Sequence, residues 1–294
     1  MNWIEDFIDY LRYERNYSRG TTEDYQADLE AFRRFYEAID NSLSWADMPP
    51  DIVRQWVVEM MDKGNAATSV NRRLSAVRTF YKYAMRTGLA KSDPAHAVKG
   101  PKKNHPLPKF VREKEMDMAL DSETGGEQYK NVRARTLLLM FYTTGMRLSE
   151  LIALDDANID MEAGELRVTG KRDKQRIIPF GQELRETLQQ YMECRDAGVA
   201  RQCEAFFVTA KGERMNRNQV RYEVEKSLKG WTTIPQRTPH VLRHSFATAM
   251  LNHGAGLESV KKLLGHESLT TTEVYTHATF EQLKRIYNSA HPRA

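Results

Sequence analysis

The chain has 294 residues, 29% of them charged, with a net charge of +4 and a mean hydropathy of −0.65. That length suits two domains rather than one small core, and no apolar run approaches the ~20 residues of a membrane-spanning helix. The acidic start, Met1 to Asp6, lacks a basic then apolar leader, and Cys194 and Cys203 form no CxxC pair, so a cytoplasmic chain with reduced thiols is expected.

Residues 1–90 carry helical periodicity throughout. Trp3, Ile4, Phe7, Ile8 and Leu11 share one face. The hydroxyls between Ser18 and Thr22 offer N-caps to a second helix with the stripe Tyr25, Leu29, Phe32 and Phe35. Met48-Pro49-Pro50-Asp51 opens a third, which carries Ile52, Val53, Trp56, Val57 and Met60 and closes at Gly64. A fourth runs from Ser69 to Met85 with Val70, Leu74, Val77 and Tyr81 inward. Its other face holds Arg72, Thr79, Lys82 and Arg86, with Arg73 and Arg78 beside them, the densest basic stripe in a region whose own charge is −2.

Between Lys91 and Phe110 five lysines, Lys102 and Lys103 among them, face the single acid Asp93, and four prolines punctuate the run. This reads as an extended basic linker. Because the arginine stripe leads into it, Arg72, Arg73, Arg78, Lys82, Lys102 and Lys103 are the candidate contacts to a DNA backbone, although a charge run is also the mark of a solvated surface.

From Pro108 onward, Arg135 to Tyr142 reads as an apolar helix stopped near Gly145, and a second helix begins around Leu148. Glu165–Thr169 and Arg176–Pro179 read as a β-hairpin around a Gly170–Gln175 turn. Helices follow over Gln182–Ala197, Asn216–Lys229, Pro239–His253, Leu257–Leu264 and Phe280–Ser289. The expected fold is mainly α, with a small antiparallel sheet in the second domain. The expected division is 1–90, a linker over 91–107, and 108–294.

Individual chemical signals are weak. His240 and Arg243 are three apart on the first turns of a helix that starts at Pro239. His240 and His244 have zinc-ligand spacing, but no Glu base lies between them and no third ligand is evident, so no metal is expected. Gly170-Lys171 fails as a phosphate-binding loop, because Arg172 stands where a Ser or Thr would hold magnesium. Arg147 follows a glycine turn that could point it into a cleft, but judged alone it reads first as a surface arginine capped by Glu150. Taken together, two arginines, two histidines, a lysine and a tyrosine suit cleavage of a phosphodiester without a metal. Arginine forks stabilise the charge that builds on the non-bridging oxygens. A tyrosine, only about one in a thousand ionised at pH 7, needs nearby cations or a base to attack. The leaving oxygen needs a general acid.

Five segments in order resemble the tyrosine recombinase (phage integrase) family, most closely its Xer branch: Thr144–Leu151, Gly170–Pro179, His240–Thr248, Leu263–Leu269 and Thr272–His277. Asn71–Tyr81 also resembles that family's core-binding domain, and the likeness covers nearly the whole chain. The resemblance implies a four-helix core-binding (SAM-like) domain followed by a mostly helical catalytic domain. It implies Tyr275 as nucleophile, forming a 3′-phosphotyrosyl link, and Arg147 and Arg243 as clamps on the phosphate. Lys171 is then the acid for the leaving oxygen, favoured over Lys174 by its place after Gly170; His240 assists proton transfer and His266 bonds the phosphate. Neither cofactor nor metal is implied. The implied partners are double-stranded DNA with an inverted-repeat site and a homotetramer or a heterotetramer with a second recombinase, with a septal DNA translocase as a further candidate and action on the bacterial nucleoid. The C-terminal helix would offer Phe280, Leu283, Ile286 and Tyr287 to a neighbouring protomer. Resolution of chromosome or plasmid dimers is the leading role. A mobile-element integrase, a type IB topoisomerase and a non-catalytic architectural protein are the competing ones.

Overall fold

The structure, a computed structural model, describes residues 2–103, 109–122, 128–170, 173–265 and 277–294. Its contacts divide the chain into two compact units, Met1–Pro106 and Leu107–Ala294.

Among the described residues the first unit holds four helices: α1 (Trp3–Asp9), continued by one π-helical turn over Tyr10–Glu14, then α2 (Arg19–Ile39), α3 (Pro50–Asp62) and α4 (Ala67–Arg86). The Ser18 hydroxyl caps α2 by accepting the Thr21 N–H, and Pro50 opens α3 with a pre-set φ. The core is aromatic. Phe7, Phe32 and Phe80 are fully buried, with Phe32 4.9 Å from Trp56 and Phe80 4.6 Å from Trp45 between ring centres. Phe35, expected inward, is only partly buried. Tyr36 takes the inner place, because it stands one turn beyond Phe32 and both rings reach Trp45.

The proline-rich stretch differs from the expected open linker over its first half. Ala95 and Val98 are buried, and Arg78 of α4 donates to the carbonyls of both, the Ala95 bond measuring 3.1 Å. Asn71 Nδ2 donates to Pro101 O at 2.8 Å, and a Cβ at Gly100 would sit 2.2 Å from the Asn71 side-chain oxygen. Two apolar side chains are buried and three carbonyls find partners by folding back, which outweighs the tendency of prolines and lysines to extend.

The second unit holds α5 (Glu113–Asp121), α6 (Gln128–Thr144), α7 (Leu148–Ile152), β1 (Ile159–Asp160), β2 (Glu165–Thr169), β3 (Gln175–Pro179), α8 (Gln182–Gly198), α9 (Arg217–Leu228), α10 (Pro239–Asn252), α11 (Leu257–Leu264) and α12 (His277–Ala290). The fold is mainly α with one small antiparallel sheet, ordered β1-β2-β3, in which Leu166 faces Ile178 and Val168 faces Arg176. Helix α6 is buried on every side over 137–144, as a central helix must be, and packs against α8, α9 and α10. Val111 enters the unit with its N–H on Ser245 Oγ at 2.8 Å.

Helix α12 packs against α10, α11 and β3 of its own chain. Phe280, Leu283 and Tyr287, the face expected to meet a neighbouring protomer, are buried here within the chain; Ile286 is partly buried against the cluster of Phe246, Met250, Val260, Leu263 and Leu264. Behind it, His291 stacks between Phe246 and Tyr287, donating from Nε2 to Tyr142 O and accepting the Arg293 N–H at Nδ1. Arg293 reaches Asp117, Asp121 and Glu183. Among the described residues no helix is long and apolar enough to cross a membrane.

Candidate active site

Helix α6 ends because Gly145 adopts φ +58°. A Cβ there would lie 2.5 Å from Phe246 and 2.8 Å from Leu264, so glycine lets α10 and the end of α11 close on the turn. Arg147 is the N-cap of α7. Its N–H donates to Glu150 Oε2 at 2.7 Å, its Nη1 to Glu150 Oε1 at 2.9 Å and its Nη2 to Gly265 O at 3.1 Å. The Arg147 side chain stays 37% exposed.

Arg243, on the first turns of α10, is buried. It donates to Gly145 O and to Leu264 O, each at 2.7 Å. Burial, then the charges of Arg147 and Arg176, lower its pKa to about 10, against a weaker pull from Glu150. It therefore remains a cation at neutral pH, in a place where charge is little screened. The two candidate clamps thus meet at adjacent carbonyls at the end of α11.

His240 lies one turn before Arg243 and is exposed, its Nε2 3.1 Å from the Nε2 of His244. Burial, His240 and Arg243 together push the His244 pKa down, which favours a neutral imidazole. One ring of the pair must then donate and the other accept. Lys171, His266 and Tyr275 lie outside the described residues. In sequence His266 directly follows Gly265, whose carbonyl Arg147 holds.

Sequence reasoning missed two members of this site. Glu150 is not a surface cap but is 2% exposed, and Arg176 of β3 grips both its oxygens at 2.7 and 2.9 Å. Burial raises the Glu150 pKa. The hydrogen bonds and charge of Arg176, then the N–H and guanidinium of Arg147, more than offset this and hold the carboxyl below the usual range. Strand alternation contained the signal for Arg176: it stands on the inward face with Ile178, and an inward arginine needs a buried acid.

In the first unit, Arg72 makes a two-pronged pair with Asp28 at 2.6 and 3.0 Å, and Arg73 lies 3.7 Å from the same carboxylate. Arg78, another candidate DNA contact, donates to the Ala95 and Val98 carbonyls of the 91–101 fold-back. Lys82, Lys102 and Lys103 are exposed. Arg86 stacks over Tyr10 at 4.3 Å.

Against this geometry the comparisons are specific. The Phage integrase family model matches residues 109–282, and the Phage integrase N-terminal SAM-like domain matches residues 4–88. The chain belongs to the phage integrase family, the tyrosine recombinases. It is 37% identical to tyrosine recombinase XerC of Pelotomaculum thermopropionicum, covering 99% of this chain and 98% of that protein. It is 34% identical to tyrosine recombinase XerD of Oceanobacillus iheyensis, with coverage of 99% and 98%. Among solved structures, XerH site-specific recombinase bound to a palindromic difH substrate matches at TM-score 0.70 and 21% identity, covering 92% of this chain and 80% of that one.

Proposed function

We propose that this chain is a site-specific recombinase that cuts and rejoins duplex DNA at an inverted-repeat site, and that it resolves chromosome or plasmid dimers. The observation that carries the reading is the convergence of Arg147 and Arg243 on the carbonyls of Gly265 and Leu264, next to His266 in the chain. Two guanidinium groups at one place suit the two non-bridging oxygens of one phosphate. The full-length Xer relatives favour this role over integration of a mobile element.

In this reading Tyr275 attacks the scissile phosphorus and the 5′ oxygen leaves with a proton from Lys171. The phosphate is then held as a 3′-phosphotyrosine. Arg147 and Arg243 neutralise the growing charge, His266 adds a hydrogen bond, and His240 takes part in the proton transfer at the tyrosine. The bond energy is conserved in the phosphotyrosine, so rejoining is the same step reversed. Lys82, Lys102 and Lys103 contact the DNA backbone, joined by Arg72 and Arg73. Four protomers, identical or of two kinds, pair two sites through a Holliday junction in the cytoplasm on the nucleoid, and a septal DNA translocase is the candidate activator.

The test uses a site selected by binding from the source genome, nicked so that cleavage cannot reverse. The wild type is expected to form a protease-sensitive adduct at the 3′ end, and Tyr275→Phe none. An adduct with Tyr275→Phe overturns the assignment. A 5′-phosphorothiolate link, whose leaving group needs no acid, is expected to rescue Lys171→Ala. Rescue of Lys174→Ala instead would move the acid to Lys174.

A further inference from the structure

Among the described residues Arg176 is a third guanidinium at the site, and it has no place in the chemistry above. It is almost wholly buried on β3. Its Nη atoms hold both oxygens of Glu150, and its Nε donates to Leu263 O at 3.0 Å. Glu150 in turn holds the backbone and side chain of Arg147. Three consecutive carbonyls, Leu263, Leu264 and Gly265, thus each receive one arginine: Arg176, Arg243 and Arg147. The approach is close. Gly265 adopts φ +66°, and a Cβ there would lie 3.1 Å from Arg176 Cδ and 3.2 Å from its Nε.

A buried ion pair contributes little net stability that packed apolar side chains would not supply. What distinguishes Arg176 is what it holds: Glu150, which fixes Arg147, and the carbonyl beside the one that Arg243 grips. A planar fork can hold a carboxylate and a third acceptor at once, which an ammonium cannot do in the same geometry. We propose that Arg176 is a positioning residue for strand cleavage, fixing the spacing of Arg147 and Arg243 so that both grip one phosphate. This rests on the site reading above.

The experiment measures single-turnover cleavage of two nicked sites. One carries the natural phosphodiester. The other carries a methylphosphonate, whose neutral linkage needs one cation fewer in the transition state. Arg176→Met is expected to slow the natural site by about 10²–10³-fold while slowing the neutral one far less. Arg176→Lys, which keeps the charge without the fork, is expected to fold and bind DNA but cleave the natural site almost as slowly. Should Arg176→Met not fold, Arg176→Met/Glu150→Gln removes both buried charges and is compared with Glu150→Gln. Equal slowing on both substrates, or full activity of Arg176→Lys, reduces Arg176 to a structural ion pair and overturns the proposal. Arg243→Ala separates the two levels. If it cleaves the natural site like the wild type, the site reading itself fails, whereas a selective loss there with none in the Arg176 variants removes this proposal alone.

Discussion

Asp28 in the first unit and Glu150 in the second are both buried carboxylates held by arginines. Burial raises the Asp28 pKa, and Arg72 and Arg73 only partly reverse it. Burial also works against ionised Glu150, yet there the arginines prevail and the net shift is downward. The difference lies in water. The Arg72 side chain is 44% exposed and its charge is screened, whereas that of Arg176 is 7% exposed and is not. The first unit therefore keeps Arg72 loosely, with much of its side chain open to water. The second fixes its arginines before any substrate arrives.

The strongest way to break this comparison is to remove the acids. Glu150→Ala leaves Arg176 buried without its partner and is expected to cost about 3–5 kcal/mol in urea unfolding, along with cleavage. Asp28→Ala leaves arginines whose side chains are 44% and 31% exposed and that water can solvate, and about 1 kcal/mol or less is expected. Equal costs would erase the distinction.

Acid sharpens it further. The folded pKa of His291 is lowered to about 4 by burial, while its unfolded value is near 6.5. The unfolded state then binds the extra proton first, so about 3 kcal/mol of stability present above pH 6.5 is lost as the pH falls toward 4. Glu150, with a lowered pKa, loses stability in the same direction below its unfolded value. Asp28 has the opposite sign: its folded form holds its proton more tightly, so its contribution rises as pH falls. Hydrogen exchange between pH 7.5 and 5 is expected to show the C-terminal helix α12 opening while the first unit stays protected, with the slope flattened in His291→Gln. Loss of protection in both units together would contradict this.

The smallest effect is on affinity. Asp28→Asn frees Arg72 and Arg73 and is expected to tighten DNA binding by about tenfold at low salt, with a steeper dependence on salt. Unchanged affinity and slope would mean that neither arginine meets the backbone.

Most helices were legible because burial follows periodicity: Val70, Leu74, Val77 and Tyr81 fall inward as spaced. The elements missed are those with little apolar signal. Helix α5 buries only Met116, Ala119 and Leu120, and β1 is two residues long. The first turns of α6 escaped because Arg133 is buried there through its pairing with Glu223, ninety residues away. Arg78 and Arg176 escaped for a related reason: a lone arginine in a sequence does not disclose whether its partner is solvent, a carbonyl or a distant acid. Of the candidate site, Arg147, His240 and Arg243 stood out by motif, while the residues that hold the arginines in place needed the fold.

Asn71 anchors Pro101 to the first unit, and Ser245 anchors Val111 to the second. Ten peptide steps separate those anchors, a reach of at most about 35 Å. With one unit seated on a duplex, the other is confined to a volume in which its own concentration is in the millimolar range. On the function proposed above, that local concentration multiplies the affinity of either unit alone without any new contact.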